Sequence, residues 1–228
     1  MKQIALDIGV TVEPSLGNFH PGQNEAALAH LQLWMAGRTR SPVPTYLWGD
    51  HGSGKTHLLK AVADHIQTQG GEVGWLDKNC LQPAEFNPAW EVLLLDDVQH
   101  YSAVQQHMAF NWFVNAATPG ASRQPWVLAA GSMPPQDLPL REDLRTRLGW
   151  GHVFHLQLLD DAQRREVLLR HAQALGMHVG NDLLDYLLSR FSRDLGHLMN
   201  LLGQLDHYAL QTKRPLTIPL LRAMLDET

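Results

Sequence analysis

Apolar residues along the first 155 positions show two patterns, short continuous runs and a spacing of three and four residues. Short apolar runs predict four strands, in the segments TYLW, EVGWLD, WEVLLLDDVQ and QPWVLAAGS. Apolar residues spaced three and four apart predict three helices, in EAALAHLQLWMA, KTHLLKAVADHIQ and AVQQHMAFNWFVNAAT. Residues 11–24 are rich in Pro, Gly and Asn and predict an irregular lead-in. Strands that alternate with helices predict an α/β fold, a parallel sheet flanked by helices, over residues 11–157.

The pattern changes near residue 158, after which only the helical period remains. Four segments show it, separated by Gly or Pro: DDAQRREVLLRHAQALG, NDLLDYLLSRF, RDLGHLMNLLGQLDHYALQ and TIPLLRAMLDE. We therefore expect a small all-helical domain over residues 158–228.

Composition narrows the classes of function. The chain has 228 residues, 44% of them hydrophobic, and a formal net charge of -5. An acidic balance argues against a large basic face that holds DNA directly, so any contact with DNA is expected to be indirect. Cys80 is the only cysteine, which argues against disulfides and Cys-based zinc sites, and the thirteen His residues are scattered. Without an export signal or a long apolar run, we expect a cytoplasmic protein and no membrane.

One motif carries specific chemistry. The segment GDHGSGKT fits the pattern G-x-x-x-x-G-K-[ST] and lies between a predicted strand and a predicted helix. Its glycines let successive backbone N–H groups face a bound phosphate. Lys55 is expected to reach the β and γ phosphates, and the Thr56 hydroxyl to ligate Mg²⁺. The predicted nucleotide-binding residues here are Gly49, Asp50, His51, Gly52, Ser53, Gly54, Lys55, Thr56 and His57.

Two acids support this interpretation. The aliphatic run VLLLDD ends in Asp96 and Asp97. Asp96 is expected to hold Mg²⁺ and Asp97 to orient the attacking water, with Ser132 after the fourth strand helping to hold that water. Many ATPases use Glu where Asp97 stands, and the shorter side chain predicts slow intrinsic hydrolysis of ATP. The sequence thus predicts a nucleotide-binding protein.

Two arginines bear on what the nucleotide is for. Arg147 lies in LREDLRTRL, just before the helical domain, and Arg193 lies in SRFSRDLGHL, within it. Judged by position alone, each could be an ordinary surface residue or could neutralise charge on a transferring phosphoryl group.

Taken together, these motifs resemble the AAA+ module of the DnaA family of bacterial replication initiators. LGNFHPGQN, residues 16–24, is similar to that family's N-terminal box near the adenine, which implies nucleotide contacts for Phe19, Gly22 and Asn24. The resemblance also implies a P-loop AAA+ module with a lid. It makes Arg147 an arginine finger that acts on a neighbour's nucleotide and Arg193 a nucleotide-sensing residue. Arg145 is a second candidate for the finger.

DnaA has a partner-binding domain before its AAA+ module and a DNA-binding domain after it, and we expect this chain to have neither. It is similar instead to Hda-type proteins, the short family members that promote hydrolysis of ATP bound to DnaA. That resemblance implies an adenine nucleotide as ligand, ADP or ATP, with ADP expected as the resident one. It also implies DnaA and the DNA polymerase III sliding clamp as partners, with a homodimer left open. QIALDI, within the peptide at residues 1–10, looks like a clamp-binding motif with Gln3, Leu6 and Ile8 as its contacts. An edge strand packed on the protein itself is the alternative.

Three other functions fit parts of the pattern. An autonomous AAA+ ATPase such as a helicase loader would hydrolyse ATP rapidly by itself. A small-molecule P-loop kinase would need an acceptor pocket. A scaffold with a vestigial site would bind no nucleotide.

Overall fold

The computed structural model describes residues 12–37, 43–117, 124–191 and 194–226. Contacts divide the chain into two compact units, one formed by Pro14–Leu158 and one that includes the chain from Leu159 onward. The first unit holds the sheet and the second is helical. The predicted fold class, a parallel α/β module followed by a helical domain, is confirmed.

The first unit is built on a five-stranded parallel sheet. Its strands are β1 (Thr45–Trp48), β2 (Glu72–Leu76), β3 (Trp90–Leu95), β4 (Trp126–Gly131) and β5 (His152–His155). They lie in the order β2-β3-β4-β1-β5, and each neighbouring pair is parallel. All carboxyl ends therefore share one edge, and the segments that follow β1, β3 and β4 meet there.

Four helices cover the two faces of this sheet. They are α1 (Glu25–Ala36), α2 (Lys55–Thr68), α3 (Ala103–Ala116) and α4 (Glu142–Gly149). Leu47 and Leu94 pack with α1 and α2 on one face, whereas Tyr46 and Leu95 pack with α3 and α4 on the other. Burial on both faces explains why the central strands are continuously apolar rather than alternating.

The four predicted strands and three predicted helices of this unit are confirmed to within a few residues, but two elements were missed. β5 has the sequence HVFH and pairs with β1 alone at the sheet edge. Its residues are exposed except for the half-buried Phe154, so they give no apolar periodicity. α4 has only eight residues and buries just Leu144 and Leu148, which is too short a pattern to identify a helix.

The second unit contains the four helices that the sequence predicts. They are α5 (Asp161–Ala174), α6 (Asn181–Arg190), α7 (Leu195–Thr212) and α8 (Ile218–Asp226). Leucines from all four helices form its core: Leu168, Leu183, Leu184, Leu187, Leu198, Leu201, Leu202, Leu205, Leu220 and Leu221. The Asp160 carboxylate accepts from the Gln163 N–H, and the two residues form a capping box that fixes where α5 begins. Among the described helices, none combines the length and apolarity needed to cross a bilayer.

Candidate functional site

The loop between β1 and α2 has the backbone shape that its glycines allow. Gly52 and Gly54 have φ values of 84° and 93°, a region that other residues rarely enter. A Cβ on Gly54 would lie 2.7 Å from Cε2 of Phe19, so the position also has no space for a side chain. α2 begins at Lys55, directly after this loop, and the first N–H groups of a helix have no partner within the helix. The arrangement is that of a phosphate-binding loop.

Lys55 lies inside this loop rather than on the surface. Its side-chain Nζ donates to the carbonyl oxygens of Gly49 (2.7 Å) and Asp50 (2.8 Å) and to Oγ of Ser53 (3.3 Å). The residue is only 8% exposed, and burial lowers the pKa of its ammonium against the opposing pull of Asp97, Asp96 and Asp50. These three acceptors hold the ammonium inside the loop, from which its N–H groups would donate to phosphate oxygens once a nucleotide is bound.

Thr56 and Asp96, the two predicted Mg²⁺ ligands, lie in direct contact. The Thr56 hydroxyl donates to Oδ2 of Asp96 at 2.7 Å, and Oδ1 of Asp96 accepts from the Asp97 N–H at 3.0 Å. Burial raises the pKa of the Asp96 carboxyl, partly offset by these hydrogen bonds. A hydroxyl and a carboxylate are the ligand types that Mg²⁺ prefers. Within the described residues there is no cluster of three or more His, Cys, Asp or Glu, so other Mg²⁺ ligands would come from phosphate and water.

Asp97, the predicted water-orienting acid, has partners on both carboxylate oxygens. Lys78 Nζ lies 2.8 Å from Oδ2, and Nε2 of Gln99 donates to Oδ1 at 3.2 Å. Partial burial raises the pKa of Asp97, but the hydrogen bonds from Lys78 and Gln99 outweigh it and hold that pKa below its ordinary value. Gln99 also accepts from the Ser132 N–H at 3.1 Å, so it links the ends of β3 and β4. The structure thereby joins Asp97 to Ser132 through a residue that the sequence did not identify.

Part of the segment before α1 lies against the P-loop. Besides its contact with Gly54, the Phe19 ring lies 5.6 Å from that of His57, centroid to centroid. His57 Nε2 donates to the Ser15 carbonyl at 3.1 Å. Burial lowers the pKa of His57, which favours the neutral imidazole. Phe19 and His57, both predicted to bind nucleotide, are thus brought to the loop.

Gly22 and Asn24 shape the same segment. Gly22 has a φ of 52° in a turn closed by the Asn24 N–H, which donates to the Pro21 carbonyl at 2.7 Å. Asn24 is buried, and its carboxamide forms two hydrogen bonds with the backbone of Gln157. Oδ1 of Asn24 accepts from the Gln157 N–H (2.7 Å), and Nδ2 donates to the Gln157 carbonyl (3.0 Å). These two bonds hold the segment that follows β5 against the segment before α1.

We expect Asn24→Ala to lower the free energy of unfolding of the first unit by about 2 kcal/mol, because it deletes both hydrogen bonds to the Gln157 backbone, each of which contributes about 1 kcal/mol. Urea unfolding followed by tryptophan fluorescence measures this, since all seven Trp residues lie within Pro14–Leu158. Asn115→Ala, at an exposed position near the end of α3, is the matched control and should cause no loss. Equal unfolding midpoints for the two variants would contradict this role of Asn24.

The predicted arginines are placed as follows. Arg147 lies in the last turn of α4, and its guanidinium carbon lies 5.2 Å from the centre of the Phe110 ring. Among the described residues it forms no ion pair and has no hydrogen bond to the P-loop. Arg145 lines a surface depression with Pro134, Pro135 and Gln136 instead. Arg193 and the peptide with Gln3, Leu6 and Ile8 lie outside the described residues.

Sequence reasoning missed three residues that contact the predicted ones: Lys78, Gln99 and Phe110. Lys78 could have been found from topology, because it follows β2, and β2 neighbours β3 in the parallel sheet. A lysine after one strand and an acid after its neighbour reach the same edge. Gln99 and Phe110 lie in a 3₁₀ turn and on α3, and no sequence pattern singles them out.

Comparison with known proteins identifies what this arrangement is similar to. Residues 161–225 match the family model "Hda, lid domain". The fold is similar to domain III of the replication initiation protein DnaA from Thermotoga maritima, with a TM-score of 0.75 and 20% identity over 95% of this chain and 97% of that one. AMPPCP-bound DnaA from Aquifex aeolicus matches with a TM-score of 0.65 and 20% identity, over 87% of this chain and 66% of that one.

A more distant motor protein shares the fold. The Holliday junction branch migration motor RuvB from Thermotoga maritima matches with a TM-score of 0.62 and 16% identity, over 90% of this chain and 67% of that one. The structural matches show an AAA+ fold, and the family model shows an Hda-type lid. The predicted resemblance to Hda-type proteins is confirmed over residues 161–225, and the solved structures confirm the predicted fold.

Proposed function

Because the chain combines an Hda lid domain with the AAA+ fold of DnaA, we propose that it is a regulator of replication initiation. In this proposal it binds an adenine nucleotide, docks on the DNA-loaded sliding clamp, and promotes hydrolysis of the ATP bound to DnaA. Conversion of DnaA to its ADP form then inactivates the initiator. The observation that carries the proposal is the match of residues 161–225 to the Hda lid.

The P-loop supports the nucleotide part of the proposal. The Gly52 to Thr56 backbone and the Lys55 ammonium would hold the phosphates, and Thr56 with Asp96 would hold Mg²⁺. A bound Mg²⁺ neutralises charge on the phosphate oxygens. Phe19, which lies against Gly54, would pack beside the nucleotide. We propose ADP as the resident ligand, which makes the chain's own site a switch rather than the place of reaction.

Arg147 supports action on a neighbour's nucleotide. Its guanidinium rests on Phe110, it is partly exposed, and among the described residues it has no carboxylate to neutralise it. A guanidinium in that state is available to a phosphoryl group carried by another molecule. One arginine supplied in trans is worth about 10³ to 10⁵ in the rate of nucleotide hydrolysis. A chain with little hydrolysis of its own can therefore act through one side chain.

The proposal predicts that Gln3→Ala combined with Leu6→Ala weakens clamp binding at least about tenfold. Burial of one leucine side chain contributes on the order of 2 kcal/mol, and the Gln3 amide adds a hydrogen bond. Surface plasmon resonance with immobilised clamp measures the affinity, with Asp7→Ala in the same peptide as the control. If the double variant keeps the wild-type affinity for the clamp, the peptide is not the docking element.

The proposed function is tested by following ATP bound to DnaA in a complete mixture. We expect fast conversion to ADP only when the chain, ADP and DNA-loaded clamp are all present, and conversion no faster than that of DnaA alone when any one is left out. Rapid ATP turnover by the chain alone, with DnaA unaffected, would favour an autonomous ATPase such as a helicase loader instead.

A further inference from the structure

An exposed tryptophan lies beside the proposed arginine finger. Trp150 follows directly after α4 and is 72% exposed. The other six Trp residues, all within the described ranges, are buried or half-buried. Tryptophan has the largest side chain and is on average well buried, and it is enriched among the residues that contribute most to protein interfaces. An indole in this position is therefore typical of a binding surface.

The backbone on both sides of Trp150 is held in place. The Trp150 N–H donates to the Arg147 carbonyl at 3.3 Å. Gly151 lies so close to the Pro44 carbonyl that a side chain there would collide with it, and the His152 N–H donates to that same carbonyl at 2.9 Å. The indole is thus presented from a fixed backbone, which lowers the conformational entropy lost when a partner covers it.

Trp150 and Arg147 lie on the same side of α4. The backbone of Trp150 is still helical, so the two residues are about 4.5 Å apart along the axis and their side chains about 60° apart around it. Arg145 is about 140° from Trp150 around the same axis, and it lines the depression with Pro134 and Pro135. A molecule that contacts the Arg147 guanidinium therefore comes within reach of Trp150.

We propose that Trp150 is the apolar anchor by which the chain docks on DnaA, against the face of DnaA that carries its ATP. The inference rests on the proposed function, and it names the surface that brings Arg147 to that nucleotide. Trp and Arg are both enriched among the residues that dominate binding, and such residues cluster near the centre of an interface. In this account Trp150 supplies affinity and Arg147 supplies rate.

The size of a protein interface identifies DnaA as the molecule that covers the indole. A specific interface buries about 800 Å² on each partner, a patch about 30 Å across. Once Arg147 reaches a phosphoryl group on DnaA, a residue about 4.5 Å further along the same side of the helix lies within that patch. Burial of the indole then removes a large apolar surface from water, which stabilises the complex.

The experiment separates affinity from rate. The complex of full-length chain, ADP and DNA-loaded clamp is treated as an enzyme, and ATP-bound DnaA is its substrate. We expect Trp150→Ala to raise the KM for ATP-bound DnaA at least about thirtyfold, the loss typical of a tryptophan that dominates an interface, and to leave kcat unchanged. Trp150→Phe keeps an aromatic ring and should raise KM by less.

Leu33→Ala is the matched control. Leu33 is 75% exposed, but it lies on α1, which covers the other face of the sheet from α4. Its loss removes an exposed apolar side chain from the same unit and should leave both KM and kcat as in wild type. All three variants should bind ADP as wild type does, because Trp150 and Leu33 lie on the surface.

Four results would count against the inference. A wild-type KM in Trp150→Ala would overturn it and leave the proposed function standing. Conversion of a dimeric chain to a monomer by Trp150→Ala, seen by analytical ultracentrifugation with KM unchanged, would make a second copy the molecule that covers the indole. A raised KM together with weaker ADP binding would show a structural role instead. Failure of the wild-type chain to stimulate hydrolysis on DnaA would contradict the proposed function and the inference together.

Discussion

Arg147→Ala is expected to lower the stimulated hydrolysis of ATP on DnaA about a thousandfold, close to the rate of DnaA alone. The reason is electrostatic: an arginine finger neutralises charge on the transferring phosphoryl group, and its loss typically costs about 10³ or more in rate. The measurement is single-turnover hydrolysis of labelled ATP on DnaA with saturating chain, ADP and DNA-loaded clamp.

The design of this experiment follows from the two arginines of α4. Arg145→Ala is the matched control, because Arg145 lies on the same helix but lines the depression with Pro134 and Gln136 rather than contacting Phe110. Arg147→Lys keeps the charge but lacks the planar fork, and should restore only a small part of the rate. If Arg145→Ala lost the stimulation and Arg147→Ala kept it, Arg145 would be the arginine finger instead of Arg147.

Lys55→Met is expected to weaken ADP binding at least about a hundredfold. Lys55 is buried in the loop, where its ammonium donates three hydrogen bonds to Gly49, Asp50 and Ser53, and we expect it to donate to the phosphate oxygens of bound ADP instead. Hydrogen bonds to charged groups contribute about 1.5 to 3 kcal/mol each, and two of them account for this loss. Isothermal titration calorimetry with ADP and Mg²⁺ measures it.

Lys60→Met is the control for this variant, since it removes an exposed lysine from the same helix. It should bind ADP as wild type does. Binding by Lys55→Met within about tenfold of wild type would mean that the loop does not direct this ammonium to phosphate.

The central strands could be predicted because each is a short run of consecutive apolar residues that is visible in the sequence itself. β3 is buried along most of its length and ends where Asp96 begins, and the glycines before Lys55 mark the turn into α2. β5 could not be predicted, because an exposed edge strand lacks the apolar pattern that identifies its neighbours. β5 is held in the sheet by its parallel pairing with β1, which its own sequence does not reveal.

The residues of the candidate site also fall into those that the sequence identifies and those that it does not. A motif fixes the backbone, so Lys55 and Thr56 could be placed from sequence. The partners of Asp97 could not be placed from motifs alone: Lys78 reaches it only because β2 and β3 are neighbours in the sheet, and Gln99, two residues after Asp97, lies in a 3₁₀ turn that no sequence pattern marks. The Asn24 carboxamide bonds to the Gln157 backbone in this structure, and its predicted contact with the nucleotide stays a prediction. The roles of Arg193 and of the peptide at residues 1–10 stay predictions.

The central claim is that the chain acts on a neighbour's nucleotide and not through hydrolysis of its own. Asp97→Asn tests it most directly, because this change removes the carboxylate that would orient water in the chain's own site. DnaA carrying γ-labelled ATP is mixed with wild-type or Asp97→Asn chain, ADP and DNA-loaded clamp, and labelled phosphate is measured. We predict equal release with both chains. Loss of release with Asp97→Asn, at unchanged ADP affinity, would contradict the account and make the chain's own hydrolysis the step that matters.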